Sequence, residues 1–139
     1  MSKTKDILVA EDSSNDFFML EAAFSAAGFG HNLHRVRDGT EVIAYLKAES
    51  PFADRTLFPF PHLLILDVQM PKSCAFDVLR FLRERPNFQF PTIVFSGSVP
   101  PDMIQSALQL GAEECFDKPS GVQELVSIVQ TIHHRWLAN

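Results

Sequence analysis

The sequence predicts a doubly wound α/β domain with five parallel strands in the order 2-1-3-4-5 and five helices. Along the 139 residues, strand-like apolar runs alternate with helix-like patterns five times. The central run, residues 63–66, is continuously apolar, as expected of a strand buried on both faces of a parallel sheet. Right-handed crossovers between successive strands then give this strand order most simply.

Composition and charge limit what the chain can do. It is 46% hydrophobic and 21% charged, and its 139 residues make one domain, residues 1–139. The net charge of −5 offers no basic surface to a nucleic-acid backbone, so we expect no nucleic-acid partner. We find neither a signal peptide nor the roughly 20 apolar residues of a membrane span, which predicts a cytoplasmic protein that does not enter a membrane. Cys74 and Cys115 have no metal-binding spacing and are interpreted as reduced thiols.

The first predicted strand and helix lie near the N-terminus. Residues 6–10 form the first strand. Ser13 or Ser14 can cap the following helix, because a hydroxyl oxygen accepts a hydrogen bond from a backbone N–H of the first turn. Gly28 ends this helix, near Ala27.

The second unit is shorter and more polar. Its strand, residues 33–36, has a weaker apolar pattern than the first strand, and we place it nearer an edge of the sheet. Asp38 and Glu41, three positions apart, predict a capping box at the start of the second helix. Helical spacing gives this helix a buried stripe of Val42, Tyr45 and Leu46.

Residues 49–61 match neither the strand pattern nor the helix pattern. Pro51, Pro59 and Pro61 exclude regular structure. Four large side chains nevertheless make the segment too apolar for a solvated linker: Phe52, Leu57, Phe58 and Phe60. We expect a long packed loop with two alternatives, in which its aromatic residues fold back onto the domain or contact a partner.

The C-terminal half contributes three helices. The third spans residues 75–85, and Pro101 opens the fourth, which Gly111 ends. The inward-facing residues of the fourth are Ile104, Ala107 and Leu108. Ser120 and Gln123 predict a capping box for the fifth helix. Its apolar face comprises Val122, Leu125, Val126, Val129 and Ile132, with Trp136 and Leu137 beyond them.

Polar side chains stand where strands end. Glu11 and Asp12 follow the first strand, and Asp67 ends the third. Ser96 follows the fourth strand, and Lys118 comes shortly after the fifth. Because the carboxyl ends of parallel strands meet at one edge of the sheet, these five side chains should converge on one pocket.

Carboxylates gathered in this way need a proton or a cation. Unit charges about 4 Å apart repel by roughly 4 kcal/mol at an effective dielectric constant near 20. Oxygen ligands without His or Cys nearby favour Mg²⁺. Asp67 as a carboxylate nucleophile, with Mg²⁺, Lys118 and the Ser96 hydroxyl beside it, suits phosphoryl transfer to an acyl phosphate.

The chain resembles the receiver domain of two-component response regulators along nearly all of its length. The resemblance rests on the pair Glu11-Asp12, on Asp67 followed by Met70-Pro71, on Ser96, and on Gly111-Ala112 leading to Lys118-Pro119. It implies a flavodoxin-like fold and a phosphoacceptor, rather than an enzyme, that is limited to self-phosphorylation from acyl phosphates and self-dephosphorylation.

The resemblance also assigns roles to individual residues. It implies that Asp67 accepts a phosphoryl group from a phosphohistidine of a sensor histidine kinase, and that Lys118 and Ser96 hold this group. It implies that Gln69 supplies a backbone carbonyl to Mg²⁺, alongside the carboxylates of Glu11, Asp12 and Asp67. The Lys118–Pro119 peptide bond is then expected to be cis.

Finer features resemble single-domain response regulators that partner phytochrome-type kinases and have no output domain. These are Arg37-Asp38-Gly39, the Pro-rich loop before the third strand, and the end of the chain from Ile132 to Trp136-Leu137. The resemblance implies a homodimer through the fourth helix, fifth strand and fifth helix. The apolar tail of Ile132, Trp136 and Leu137 supports it, because that tail exceeds what the core of one domain needs.

Two departures from the family pattern keep other functions open. Cys115 stands three residues before Lys118, where the family has an aromatic residue, and Phe116 should point to the opposite face. Ser73-Cys74-Ala75 replaces the glycine usual after Met-Pro. One alternative is a pseudo-receiver that binds partners without phosphorylation. The other, an aspartate-nucleophile phosphatase, usually has a second acid where Gln69 stands.

Overall fold

Five parallel strands form one sheet with helices on both faces, and the computed structural model describes residues 4–68, 75–95, 97 and 100–138. The strands are β1 (Asp6–Ala10), β2 (Asn32–Val36), β3 (Leu63–Asp67), β4 (Thr92–Phe95) and β5 (Glu114–Phe116). The helices are α1 (Ser14–Ala26), α2 (Gly39–Leu46), α3 (Ala75–Arg83), α4 (Pro101–Gln109) and α5 (Val122–Ile132), which continues into a π-helical turn, His133–Leu137. The strand order β2-β1-β3-β4-β5 confirms the predicted topology.

The sheet register brings the carboxyl ends of the strands to a common edge. Ala10, the last residue of β1, pairs with Val36 on one side and with Leu66 on the other. Asp67 at the end of β3 pairs with Phe95, and Phe95 pairs with Phe116 of β5. Side chains that follow these strands therefore start from neighbouring points on one edge of the sheet.

The core has two layers, one on each face of the sheet. Every residue of β3 is buried, as the continuous apolar run predicts. Alternate strand residues point to opposite faces. Leu8, Leu64 and Val94 pack against α2, α3 and α4. Ile7, Ile65 and Ile93 pack against α1 and α5. Each fully buried Leu or Ile contributes about 1.5–3 kcal/mol, so these two layers supply most of the stability.

Helix α1 is closed at both ends by local hydrogen bonds. The backbone N–H of Asp16 donates to Ser13 Oγ at 3.2 Å, so Ser13 rather than Ser14 is the cap. At the other end Gly28 has a φ of +85°, which favours glycine because it has no Cβ. The N–H of Phe29 then donates to the carbonyl of Phe24 at 3.0 Å.

The two predicted capping boxes have different outcomes. Asp38 caps α2 by accepting from the N–H of Glu41 at 2.9 Å, but the Glu41 carboxylate accepts from the N–H of Arg37 at 2.7 Å instead of completing the box. The prediction of a box between Ser120 and Gln123 is wrong. Helix α5 begins one residue later than that pattern assumes, with Gly121 as its N-cap and no side-chain cap.

Two residues predicted to face the core are exposed. Leu108 is 44% exposed and Val122 is 43% exposed. Ala107 is the buried residue of α4, and Leu108 lies about 100° farther round the helix and faces solvent. Val122 is the first residue of α5, so it precedes the turns that pack on the sheet.

The proline-rich loop before β3 folds back onto the domain through Arg55. The Arg55 guanidinium donates to the carbonyls of Tyr45 and Phe58, both at 3.0 Å, and to that of Leu46 at 2.9 Å. The carbonyls of Tyr45 and Leu46 belong to the last turn of α2, where the helix itself offers no donor. Arg55 therefore ties the loop to the C-terminal end of α2.

Tyr45 anchors the same loop from inside the core. Its hydroxyl donates to the carbonyl of Pro59 at 2.8 Å, and its ring packs against those of Phe52 and Phe58. Burial raises the pKa of Tyr45 to about 12, so the hydroxyl stays protonated as a donor. Leu57, by contrast, is 65% exposed.

The apolar residues at the end of the chain are used within the domain. Ile132 and Leu137 are fully buried beside α1 and the sheet. The prediction of an apolar tail beyond the needs of the core is therefore wrong for these two residues, because the π-helical turn folds Leu137 inward. Within the described part of the chain, no helix combines the length and apolar character needed to cross a bilayer.

Two histidines distant in sequence join the α1–β2 connection to this C-terminal turn. The N–H of Lys5 donates to Nδ1 of His31, so a neutral His31 has its proton on Nε2. That nitrogen lies 2.9 Å from Nδ1 of His133 and donates to it. The ring of Phe29 stacks on His133 with ring centroids 3.7 Å apart. The bonding pattern requires both histidines to be neutral.

The contribution of the His31–His133 pair to the free energy of unfolding should fall as the pH is lowered from 7.5 to 5.5. Burial lowers the pKa of His31 and of His133 below the ordinary 6.5, and charges on neighbouring histidines add to the shift. At these two residues the unfolded chain thus binds more protons below pH 6.5, so the stability that the pair contributes is present above that pH and is lost as the pH falls through the folded-state values. Urea denaturation at several pH values measures the slope.

Substitution separates this pair from other titrating groups. His31→Gln can accept from Lys5 and donate to His133 without titrating, so its free energy of unfolding should rise relative to that of wild type as the pH falls. Equal slopes for wild type and His31→Gln would contradict the assignment.

Candidate functional site

A lysine and three carboxylates meet at the carboxyl edge of the sheet. Lys118 Nζ lies 2.8 Å from Glu11 Oε1, 2.7 Å from Asp67 Oδ2 and 2.7 Å from Asp16 Oδ2. Glu11 is 6% exposed and Asp67 is 3% exposed, so two of these carboxylates are nearly removed from water. One ammonium thus donates to acids from β3, from the residue after β1 and from α1.

Asp12 completes an acidic cluster on the solvent side. Single carboxylate oxygens of Glu11, Asp12 and Asp67 all lie within 4.8 Å of one another, and Asp12 is exposed. The structure therefore brings together the three acids that the sequence predicts as metal ligands. Oxygen donors without nitrogen or sulfur suit a hard divalent cation, and one or two carboxylates plus water suffice for Mg²⁺. The residues present fit such an ion.

Local hydrogen bonds fix the turn that supplies two of the acids. The N–H of Glu11 donates to the carbonyl of Val36 at 2.9 Å, which extends the β1–β2 pairing by one residue. Glu11 Oε2 accepts from the N–H of Ser13 at 3.1 Å. The other Glu11 oxygen, Oε1, contacts Lys118. The glutamate therefore cannot rotate without losing a bond at one end of its carboxylate.

Burial shifts the pKa of Glu11 and that of Lys118 in opposite directions, and the hydrogen bond between the two groups opposes both shifts. Burial is the largest cause that raises the pKa of Glu11 to about 7; the hydrogen bond from Lys118 opposes it, and the charge of Asp67 adds to it. For Lys118, burial lowers the pKa, but hydrogen bonds to Asp16, Asp67 and Glu11 together hold it above its ordinary value. The lysine therefore stays an ammonium at neutral pH.

Several predicted site residues lie outside the described part of the chain. These are Ser96 and Gln69, together with Met70-Pro71 and Ser73-Cys74. Their assigned roles remain predictions. The expectation of a cis Lys118–Pro119 bond is wrong, since the cis peptide bond among the described residues is Ser50–Pro51. An X–Pro bond favours trans by about 0.5–1 kcal/mol unless its surroundings select cis.

Cys115 and Phe116 point to opposite sides of β5, as predicted. Cys115 packs with the α2, α3 and α4 layer, and its Sγ lies 4.0 Å from the carbonyl of Ile104 in α4. Phe116 packs in the other layer, with its ring centroid 6.2 Å from that of Phe95. Burial raises the pKa of the Cys115 thiol, and the charge of Glu114 adds to it, so the side chain is a small neutral group.

Sequence reasoning missed Asp16. It is the third residue of α1, where a capping-box acid would turn back to the N–H of Ser13. That N–H is taken by Glu11, and Asp16 contacts Lys118 instead. The signal available was a third acid one helical turn after the pair Glu11-Asp12. Its partner could not be read from spacing, because it lies on a distant segment.

Comparison with known proteins gives a consistent result. A family profile described as "Response regulator receiver domain" matches residues 7–130. Response regulator Rcp1 of Synechocystis sp. is 27% identical over 134 residues, which is 96% of this chain and 89% of Rcp1. The structure of the Mn²⁺-bound form of Rcp1 has a TM-score of 0.82 and covers 96% of this chain and 94% of its own.

Two further solved structures are similar. Response regulator RPA3017, described as acting in red light signaling of R. palustris, is 29% identical with a TM-score of 0.89, covering 96% of this chain and 94% of its own. The phosphorylated cyanobacterial phytochrome response regulator RcpA is 29% identical with a TM-score of 0.87, covering 98% and 96%.

Lys118→Met should lower the free energy of unfolding by about 3 kcal/mol at pH 8 in EDTA, because it leaves buried carboxylates without their cation. The loss should be smaller at pH 6, since Glu11, with a pKa of about 7, can then take up a proton. Urea denaturation measures both values. Lys47→Met, which removes an exposed lysine paired with Glu49, should cost less than about 1 kcal/mol. Equal losses in the two variants would contradict this account.

Proposed function

Since this chain belongs to the response regulator receiver domain family, we propose that it accepts a phosphoryl group from a sensor histidine kinase onto Asp67. It then signals through phosphorylation-dependent contacts with other proteins. The observation that supports this most is the setting of Asp67, which is 3% exposed and bonded to Lys118 at 2.7 Å. An acid at a solvated strand end would be exposed, and Asp67 is not.

The transfer makes one bond and breaks one. A carboxylate oxygen of Asp67 attacks phosphorus, and the bond from phosphorus to the imidazole nitrogen of the donor breaks with its electron pair left on the imidazole. Lys118 offsets negative charge on the incoming group and can donate to one of its oxygens. The Ser96 hydroxyl is the second donor in this proposal.

Mg²⁺ is the proposed cofactor, held by Glu11, Asp12 and Asp67 with the backbone carbonyl of Gln69. The oxygen-only donor set favours it, and the relative Rcp1 has been solved in a Mn²⁺-bound form. When bound, the ion offsets charge on the transferring phosphoryl group. The chain's own chemistry is then limited to self-phosphorylation from acyl phosphates and self-dephosphorylation.

A pseudo-receiver that binds partners without phosphorylation is the second candidate. Cys115 favours this candidate, because a small thiol stands three residues before Lys118, where the family has an aromatic residue that responds to phosphorylation. The cluster of Glu11, Asp12, Asp67 and Lys118 favours phosphorylation, because a protein that only binds partners has no need to hold buried like charges together.

We assign the kinase to the phytochrome type from the relatives. RcpA is described as a phytochrome response regulator, and RPA3017 as acting in red light signaling. Phosphotransfer profiling against candidate histidine kinases tests this assignment. Faster transfer from kinases of other types than from phytochrome kinases would reject it while leaving the phosphoacceptor role intact.

Incubation with Mg²⁺ and a small acyl phosphate should add one phosphoryl group to the wild type, measured by intact mass. Asp67→Asn should add none, because the nucleophilic carboxylate is lost. Asp77→Asn, an exposed acid of α3, should still add one. A phosphoryl group on Asp67→Asn would move the site elsewhere, and none on the wild type would favour the pseudo-receiver.

Self-association through α4, β5 and α5 is the proposed output contact. Leu108 on α4 and Val122 at the start of α5 are exposed apolar side chains on these elements. Sedimentation velocity at micromolar concentration should show a dimer that Leu108→Glu weakens about tenfold or more, since burying an unpaired charge is costly. Leu57→Glu, at an exposed position in the loop before β3, should dimerise like the wild type. A monomer at every concentration, phosphorylated or not, would reject the dimer.

A further inference from the structure

Arg35 of β2 holds the acidic turn from the side opposite Lys118. Its Nε donates to the carbonyl of Glu11 at 2.9 Å and its Nη2 to the carbonyl of Asp12 at 2.9 Å. Its Nη1 donates to Ser14 Oγ at 3.1 Å, and the guanidinium lies 5.9 Å from the ring centroid of Phe17. One side chain thus spans the turn from the end of β1 to the start of α1.

These bonds fix backbone that the acidic side chains depend on. The carbonyl of Glu11 belongs to the peptide unit that leads into Asp12, so the Nε bond restricts the torsions that direct both carboxylates. Asp12 is exposed, and the position of the backbone from which it extends limits where its carboxylate can reach. A planar guanidinium with donors in a fixed fork can hold two carbonyls at once, which an ammonium cannot do with the same geometry.

We propose that Arg35 is a positioning residue for the cation site, acting through the backbone of Glu11 and Asp12. This inference rests on the proposed cation binding by Glu11, Asp12 and Asp67. Two effects of Arg35 on a cation have opposite signs. Its positive charge repels the ion, whereas its two carbonyl bonds hold the ligand set together. The positioning effect is the larger, because both bonds are 2.9 Å and join directly to the residues that bear the ligands.

Two substitutions separate position from charge. Arg35→Lys keeps the charge and loses the fork, and Arg35→Met loses both. Calorimetric titration of each purified protein with MgCl₂ should show a dissociation constant about tenfold higher in both variants, the size usual when a group that orients a metal ligand is removed. If charge repulsion governed the site, Arg35→Met would bind Mg²⁺ more tightly than wild type and Arg35→Lys would be unchanged.

Arg55 provides a matched control. It also donates to three oxygens of other residues, the carbonyls of Tyr45, Leu46 and Phe58, but in the loop that leads to the start of β3, at the other edge of the sheet. Arg55→Lys should lower the free energy of unfolding in EDTA about as much as Arg35→Lys does, and leave the Mg²⁺ dissociation constant at its wild-type value. A purely structural role for Arg35 would make the two variants alike in both measurements.

The outcomes distinguish this inference from the proposed function. Mg²⁺ binding by the wild type with an unchanged dissociation constant in Arg35→Lys would overturn the positioning role alone. A wild type that does not bind Mg²⁺ would overturn the cation site, and this inference with it. If circular dichroism shows that Arg35→Met does not fold, Arg35→Lys decides the question, because it keeps the charge and most of the side-chain volume.

Discussion

The contact of the Lys118 ammonium with three carboxylates is the interaction on which the carboxyl edge of the sheet depends. It joins Glu11, 107 positions away, to Asp67, 51 positions away, and so ties the ends of β1, β3 and β5 together. Like charges about 4 Å apart repel by roughly 4 kcal/mol at a dielectric constant near 20, so this edge needs a cation, or a proton on one of its acids, to be stable. The same arrangement prepares the proposed chemistry. In that proposal, a phosphoryl group on Asp67 would compete with Glu11 and Asp16 for the protons of one ammonium, and the edge would have to rearrange when it arrives.

Which other elements change with such a rearrangement depends on the side chains that contact the carboxyl edge of the sheet. Cys115 lies on the α4 side of β5, against the carbonyl of Ile104, at the position where the family has an aromatic ring. A thiol is smaller than a ring and makes fewer contacts that differ between two states. A ligand shifts an equilibrium only by the difference in its interaction with the two states. In the proposed function, a phosphorylated state would therefore draw most of its preference from other elements. Helix α4 buries a single residue, Ala107, which is fewer than any other of the five helices buries.

Most of the fold could be predicted from the sequence because apolar runs and crossover rules are local or general. The strand order, the burial of β3 and the meeting of Glu11, Asp12, Asp67 and Lys118 at one edge follow from them. The partners of Asp16 and Arg35 and the bond between His31 and His133 could not be predicted. The histidines are 102 positions apart, and spacing shows which edge a residue reaches but not which atom it contacts. The prediction that Leu108 and Val122 face the core is wrong for a related reason. A period of 3.6 residues defines an apolar stripe on a helix, but not where the neighbouring sheet ends.

The two edges of the sheet differ in what their polar groups do. At the amino edge, Arg55 donates to carbonyls of α2, and the His31–His133 pair joins Lys5 to the C-terminal turn, so every named polar group is satisfied without repulsion. At the carboxyl edge, three acids share one ammonium, and burial raises the pKa of Glu11 to about 7. Hydrogen bonds to a charged group contribute about 1.5–3 kcal/mol each, so the bonds of Arg55 alone are comparable in size to one pairwise repulsion at the other edge. The amino edge and the two core layers thus supply stability that offsets the repulsion at the carboxyl edge. The domain can therefore keep a cluster of acids there that is suited to binding a cation.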